Sequence, residues 1–390
     1  MFDEIYSRKN TGSYKWDTIV PDGVIERGAY PLSVADMEFK TPEEVREAVK
    51  DFTDKGFFCY TSGDGEYRNS VKGFMKRRHG FEIENDWITC VGGVVFAINT
   101  AIRAFTEPGD KIIIQTPVYY PFSASIINNG RVVADNPLVA VDDSYIINFD
   151  ELEKIASEPD VKMMLLCSPH NPVGRVWTKD ELKRIGDICL NNNVILISDE
   201  IHFDIVRKGV EHTVIYNVDE EFKKNTVICT AVSKTFNLAG LGTSNIIIAD
   251  EALRNKFQKQ LSTDGYSSIN CVSRPATIAA YTQCDYWIDA MNAYVEDNVN
   301  YVKSVVDEIP QIKMYKCEGT YLVWLDMSEL KLNDDELDKF LVEKCGIIQD
   351  PGFWFGEGGK GFSRLNVACP RKALEKAMEA LKNKVLNGEY

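Results

Sequence analysis

The chain has 390 residues, of which 44% are hydrophobic and 26% charged, and it carries a formal net charge of -15. Such a length is long for a single core and implies more than one domain. The acidic balance, with no stripe of Lys and Arg, speaks against a nucleic-acid partner, and no apolar run approaches the ~18 residues of a membrane span.

The first residues, MFDEIYSRKN, carry acids and lack the apolar centre of a secretory signal. From residue 41, TPEEVREAVKDF predicts a helix with Thr41 as N-cap, Pro42 at the first helical position and Glu44 closing a capping box. KRRHG at 76–80, the densest basic run, reads as a helix end. From about residue 85, helical patterns alternate with short runs rich in β-branched residues. KIIIQTPVYY, VKMMLLCSPHNP, VILISDEIH, TVICTAVSK and TSNIIIAD are nearly continuous apolar strands that end in polar clusters. Strands buried on both faces have this composition, so the expected class is α/β, with a mostly parallel sheet between layers of helices. After about residue 285 come long amphipathic helices and a small strand group, GTYLVWLDM and FSRLNVA, which predict a smaller α+β module. The ten cysteines include no CxxC pair, as expected of reduced thiols in a cytoplasmic protein. The four histidines show no metal-ligand spacing, so no metal site is expected.

Polar residues at the carboxyl ends of strands are where open α/β sheets bind ligands. In TCVGGVVFAINTAI the amides of Gly93, Val94 and Val95 open a helix and can cradle an anion. QTPVYYPF offers Tyr119 and Tyr120 for stacking on a flat ring, and SPHNPVGR fixes Asn171 in a proline-bracketed turn. ISDEIHFD leaves Asp199 at the end of an apolar strand, a costly place for a carboxylate without a cation. VSKTFNLAGLGTS sets Lys234 where desolvation would lower its pKa. An amine, an acid, an amide, an aromatic ring and an anion cradle together match the needs of pyridoxal 5'-phosphate. Its aldehyde takes an amine, its ring nitrogen an acid, its phenolic oxygen a donor, its ring a stacking partner and its phosphate a helix start.

In these strings the chain resembles the fold-type I, aspartate-aminotransferase-like pyridoxal phosphate enzymes over nearly its whole length. The resemblance implies a PLP-dependent transferase-like fold, with a large sheet domain over 51–285 and a small α+β domain of 286–390 completed by the N-terminal segment 1–50. It also implies that Lys234 carries the cofactor as a Schiff base, Asp199 pairs with the ring nitrogen, Asn171 bonds the phenolic oxygen and Tyr119 stacks. Arg364, in FSRLNVACP, takes the role of clamp for the substrate α-carboxylate, where Asn171 and Tyr119 also face substrate. Tyr60, in CYTSGDGEYR, matches a tyrosine that reaches the neighbouring subunit's cofactor phosphate, which implies a homodimer with shared sites.

Two departures narrow the group. Gly242 stands where most such aminotransferases have a phosphate-binding arginine, leaving Ser233 and Tyr60 to share the phosphate, and His202 stands where many have a tyrosine near the phenolic oxygen. With KWD at 15–17, PLSVADMEF at 31–39 and SKTFNLAGL, these features resemble the MalY/PatB-type C-S lyases, or cystathionine β-lyases. That group usually has a tryptophan before VADM, where this chain has Ser33, a position expected at the substrate mouth. The implied reaction is β-elimination from L-cystathionine or a related cysteine S-conjugate, giving a thiol, pyruvate and ammonia. An aminotransferase shares the early chemistry and stays open as an alternative, as does a regulatory or binding protein that keeps the fold with little turnover.

Overall fold

Side chains alternate across a strand, and in this chain both alternating sets are apolar. Ile112 and Ile114, Met163 and Leu165, and Val227 and Cys229 pack on one face of a sheet, while Ile113, Met164, Leu166 and Ile228 pack on the other. The computed structural model, which describes all 390 residues, accordingly buries this sheet between two helical layers. The helices Val94–Phe105 and Glu251–Thr263 cover the first face; Gly65–His79 and Lys179–Asn191 contribute to the second.

The sheet has seven strands in the order Ile88–Val91, Ser244–Ile247, Thr226–Thr230, Ile195–Asp199, Val161–Cys167, Lys111–Ile114 and Val132–Asp135. Ser244–Ile247 runs antiparallel to both neighbours, and every other pairing is parallel. Five adjacent parallel strands therefore release their last residues along one edge, where a ligand can meet several loops at once.

A second sheet of four antiparallel strands, Lys313–Met314, Leu322–Asp326, Phe362–Asn366 and Asp350–Pro351, forms the C-terminal module. The helices Asp285–Val306 and Arg371–Leu386 pack with it in the main core. The N-terminal segment joins this module: Tyr30–Pro31 pairs in parallel with Ile347–Ile348, and Asn366 donates its backbone N–H to Leu32 O at 2.7 Å. The strings KWD and VADMEF interlock here. Lys15, buried to 1% exposure, pairs with Glu38 at 2.8 Å and donates to Asp36 O at 3.1 Å, and Trp16 Nε1 donates to the same Glu38 carboxylate.

One local expectation fails. The helix at residue 43 starts one residue later than its sequence suggests, with Pro42 as N-cap and no side-chain cap. Thr41 Oγ1 donates instead to Phe236 O at 2.9 Å, and Glu44 accepts from Tyr286 Oη at 2.9 Å. Both polar groups are drawn away from the local cap by tertiary partners that hydrogen-bond them equally well.

The loop Gly352–Phe355 is held by a close backbone approach. A Cβ on Gly352 would stand 2.2 Å from Gly359 O and 2.6 Å from Phe362 O, so no side-chain rotation could relieve it. Gly352→Ala should lower unfolding free energy by about 1–3 kcal/mol, the usual cost of overpacking. Denaturant unfolding monitored by tryptophan fluorescence measures this.

Candidate active site

The carboxyl ends of the parallel strands open into a cavity of 330 Å³. Gly93, Val94, Val95, Tyr119, Asn171, Asp199, His202, Ser233 and Lys234 all line it, so the structure brings together most of the residues singled out in the sequence.

Asp199 ends the strand Ile195–Asp199 and is 4% exposed. Its carboxylate has a single hydrogen bond within the chain, from Ile201 N at 3.2 Å. Burial pushes its pKa up to about 7, against the opposing pull of the Ile201 amide and the Lys234 charge. A carboxylate this dry, with one amide donor, lacks the cation that would stabilise it.

Lys234 sits on the single helical turn Val232–Thr235, and its Nζ donates to Ala35 O at 2.7 Å. Desolvation brings its pKa down to about 8, although the Asp36 carboxylate resists that shift. The amine therefore exchanges a proton near neutrality, where an exposed lysine would not.

Arg364 is 2% exposed, and Asp350 Oδ2 accepts from its Nε at 3.2 Å and from its Nη2 at 2.5 Å. Arg364 Nη1 donates to Asn171 Oδ1 at 2.8 Å. Because a guanidinium can only donate, this contact fixes the amide's orientation and leaves Asn171 Nδ2 as a donor for an oxygen in the cavity. Tyr119 donates its backbone N–H to Asn171 O at 3.0 Å, and burial raises its phenol pKa, so the ring presents a neutral face. His202, 2% exposed, has no partner within the chain at Nδ1, and burial drives its pKa well below the ordinary value. It is a neutral imidazole on the cavity wall rather than a satisfied core histidine.

At the far end of the cavity wall, Gly93 (φ 144°) caps the helix Val94–Phe105, which has no side-chain cap. Only glycine adopts that backbone conformation readily, and the first amides of the helix are left without intrahelical partners. An anion fits such a helix start. Gly242 (φ 54°) also lines the cavity and brings no cation to it.

A model of the aminotransferase class I and II family matches residues 28–381. The chain belongs to that family. It is 41% identical to cystathionine beta-lyase PatB of Bacillus subtilis strain 168 over 98% of each chain, and 33% identical to Protein MalY of Escherichia coli K12, also over 98% of each. Among solved structures it is similar to cystalysin from Treponema denticola, which contains a pyridoxal 5'-phosphate cofactor: TM-score 0.95, 41% identity, covering 100% of this chain and 99% of that one.

Against this family background, two placements depart from the sequence reading. Ser33 does not border the mouth: it is fully buried and does not line the cavity, because Leu32 and Val34 on either side are tied into the C-terminal module. Arg364 does not line the open cavity either, and reaches it through Asn171. Tyr60, expected to serve a neighbouring subunit's site, is 96% exposed and stands apart from this chain's own cavity. The sequence reading also missed Ala35, whose carbonyl receives Lys234, and Asp350, the partner of Arg364. Asp350 left a signal, an acid just before Pro-Gly in an otherwise apolar stretch; a backbone carbonyl leaves none.

The raised pKa of Asp199 sets a pH dependence. Its folded value lies above its unfolded one, so between 3.8 and about 7 the folded chain keeps a proton that the unfolded chain has released. Stability of the cofactor-free protein therefore falls as pH rises through that window. The stability advantage of Asp199→Asn over the unsubstituted protein should grow by about 1–4 kcal/mol between roughly pH 4 and pH 8, as measured by urea unfolding at each pH.

Proposed function

We propose that the protein is a pyridoxal phosphate-dependent carbon-sulfur β-lyase that converts L-cystathionine or a related cysteine S-conjugate, with water, to a thiol, pyruvate and ammonia. The observation that carries this reading is the pairing inside one cavity of a lysine lowered to about 8 with a buried carboxylate that has no cation. Each defect is answered by the same cofactor. Lys234 would hold its aldehyde, and Asp199 would gain from its protonated ring nitrogen the positive charge the chain does not supply. The name of the Bacillus subtilis relative, cystathionine beta-lyase PatB, points to the same reaction, and the cystalysin structure contains the same cofactor.

Lys234 would hold the cofactor covalently, Asp199 would hold a proton on its ring nitrogen, Asn171 Nδ2 and His202 would meet its phenolic oxygen, and Tyr119 would stack on the ring. Ser233 and the amides of Gly93, Val94 and Val95 would hold its phosphate. When bound, the cofactor supplies an electron sink for the pair released as the substrate's Cα–H bond breaks. Arg364, kept in place by Asp350, would meet the substrate α-carboxylate beside Asn171, the residue through which it reaches the cavity. The Lys234 amine, when free, would take the Cα proton at Nζ. Burial keeps water from the Asp199 carboxylate, so once ionised beside the ring nitrogen its charge would be little screened.

The reading extends to a homodimer with shared sites in the cytoplasm. Tyr60, Phe57 and Phe58 are 96%, 73% and 64% exposed on one loop, an apolar surface suited to a second copy. All ten cysteines are free, as suits a reducing compartment.

Borohydride reduction of the protein incubated with pyridoxal 5'-phosphate should leave a pyridoxyl adduct on Lys234 by peptide mass mapping. Cystathionine should yield pyruvate and free thiol together, with Lys234→Ala slower by about 10²–10⁴-fold. A stable 2-oxo acid formed only when an amino acceptor is present would assign an aminotransferase instead. Inactive Tyr60→Ala and Lys234→Ala proteins, mixed and re-equilibrated, should recover about a quarter of the wild-type activity if subunits share sites, since half the dimers then carry one intact site. No recovery would sink the shared-site arrangement.

A further inference from the structure

The turn that carries Lys234 cannot hold itself. Val232–Thr235 is four residues long and has no side-chain cap, far below the length at which backbone hydrogen bonds sustain a helix in water. Its direction is set from outside. Two anchors come from the N-terminal segment: Thr41 Oγ1 donates to Phe236 O at 2.9 Å, and Asn237 Nδ2 donates to Met37 O and Phe39 O at 3.0 and 2.8 Å.

A third anchor is made by Thr235, the residue next to the lysine. Its Oγ1 donates to Asp204 Oδ2 at 2.6 Å, while Asp204 Oδ1 accepts from His79 Nε2 at 2.8 Å. The Asp204 side chain is completely out of solvent, and these two donors are its only side-chain partners. Its backbone carbonyl accepts from Asn292 Nδ2 at 2.7 Å, on the helix Asp285–Val306. His79 closes the helix Gly65–His79 and stacks on Phe203 with ring centroids 4.4 Å apart. Through its carboxylate and its backbone carbonyl, one buried aspartate thus ties the lysine turn to two long helices.

A histidine at a helix C-terminus is favourable in its own right, so the His79 contact alone could be a device for stability. The Thr235 contact needs another account. A buried threonine inside a helix can satisfy its hydroxyl on the preceding turn, yet this one spends it on an aspartate about thirty residues away, leaving the adjacent lysine no freedom to swing. We propose that Asp204 is a positioning residue that aims Lys234 by gripping Thr235, with His79 holding the carboxylate in place. The proposal rests on the assignment of Lys234 to the cofactor. Misplacing a reacting group by about 1 Å can cost ~10²-fold in rate, so the grip should be felt at the amine.

The test follows the visible absorbance gained when cofactor-free protein is mixed with pyridoxal 5'-phosphate, alongside the thermal midpoint of each cofactor-free variant. Thr235→Val and Asp204→Asn should attach the cofactor roughly tenfold or more slowly, and Thr235→Ser, which keeps the hydroxyl, should attach it at close to the wild-type rate. If Thr235→Val fails to fold, His79→Gln and Asp204→Asn carry the measurement. Wild-type rates in the folded variants would overturn the proposal. So would slow attachment in Thr235→Ser, or a slowing confined to variants whose thermal midpoint has fallen. Failure of the wild-type protein itself to attach the cofactor, with no adduct on Lys234, would strike the functional reading and is told apart from these outcomes by that control.

Discussion

Desolvation at the end of a parallel sheet is the constraint on which the site depends. A carboxylate and an amine, each costly to keep charged away from water, face one cavity, and neither is paired with a direct ionic partner in the chain. Asp199 is left with one backbone donor and Lys234 with one backbone acceptor. The sheet makes this possible because four parallel strands, buried on both faces, can only expose their last residues. The site is thus preorganised: a ligand that brings a cation to the acid and an electrophile to the amine recovers free energy that folding has spent.

What holds the arrangement rigid is a set of contacts remote in sequence. Arg364 fixes Asn171, Asp350 fixes Arg364, and the same Asp350 oxygen accepts the Val34 N–H at 2.9 Å. Asn366 Nδ2 donates to Val34 O at 2.7 Å and to Asp36 O at 2.6 Å, and Tyr321 Oη donates to Ala35 O at 2.9 Å. The Ala35 carbonyl that receives the lysine is therefore clamped on both flanks. Its orientation is set by side chains from the C-terminal module and by the interlocked Lys15 and Glu38 beneath it. Asn171, Tyr321, Asp350, Arg364 and Asn366 are all buried, so the lattice has little freedom to relax.

Much of this was legible in the sequence where the signal was a local composition. All five apolar strings form strands of the large sheet, because burial on both faces demands such runs. The residues at their ends could be named in advance because strand, turn and polar residue are consecutive in sequence. The edge strand Val132–Asp135 gave no such signal, since its exposed or half-exposed residues need no apolar run. The capping box at Thr41 was misread because its hydroxyl answers to Phe236, nearly two hundred residues away. Ser33 was misplaced for a similar reason: its burial is set by the bonds that its neighbours Leu32 and Val34 make to Ile348 and Asp350, more than three hundred residues away.

The parallel pairing of Tyr30–Pro31 with Ile347–Ile348 carries a consequence for biosynthesis. Contacts of such long range are late to form, because the loop they close must be ordered first. A nascent chain can assemble its central sheet while still attached to the ribosome, but the wall behind Lys234 is unfinished until the last fifty or so residues have emerged. The Ala35 carbonyl that seats the amine is present early in synthesis, but the residues that clamp it, Tyr321 and Asn366, come late.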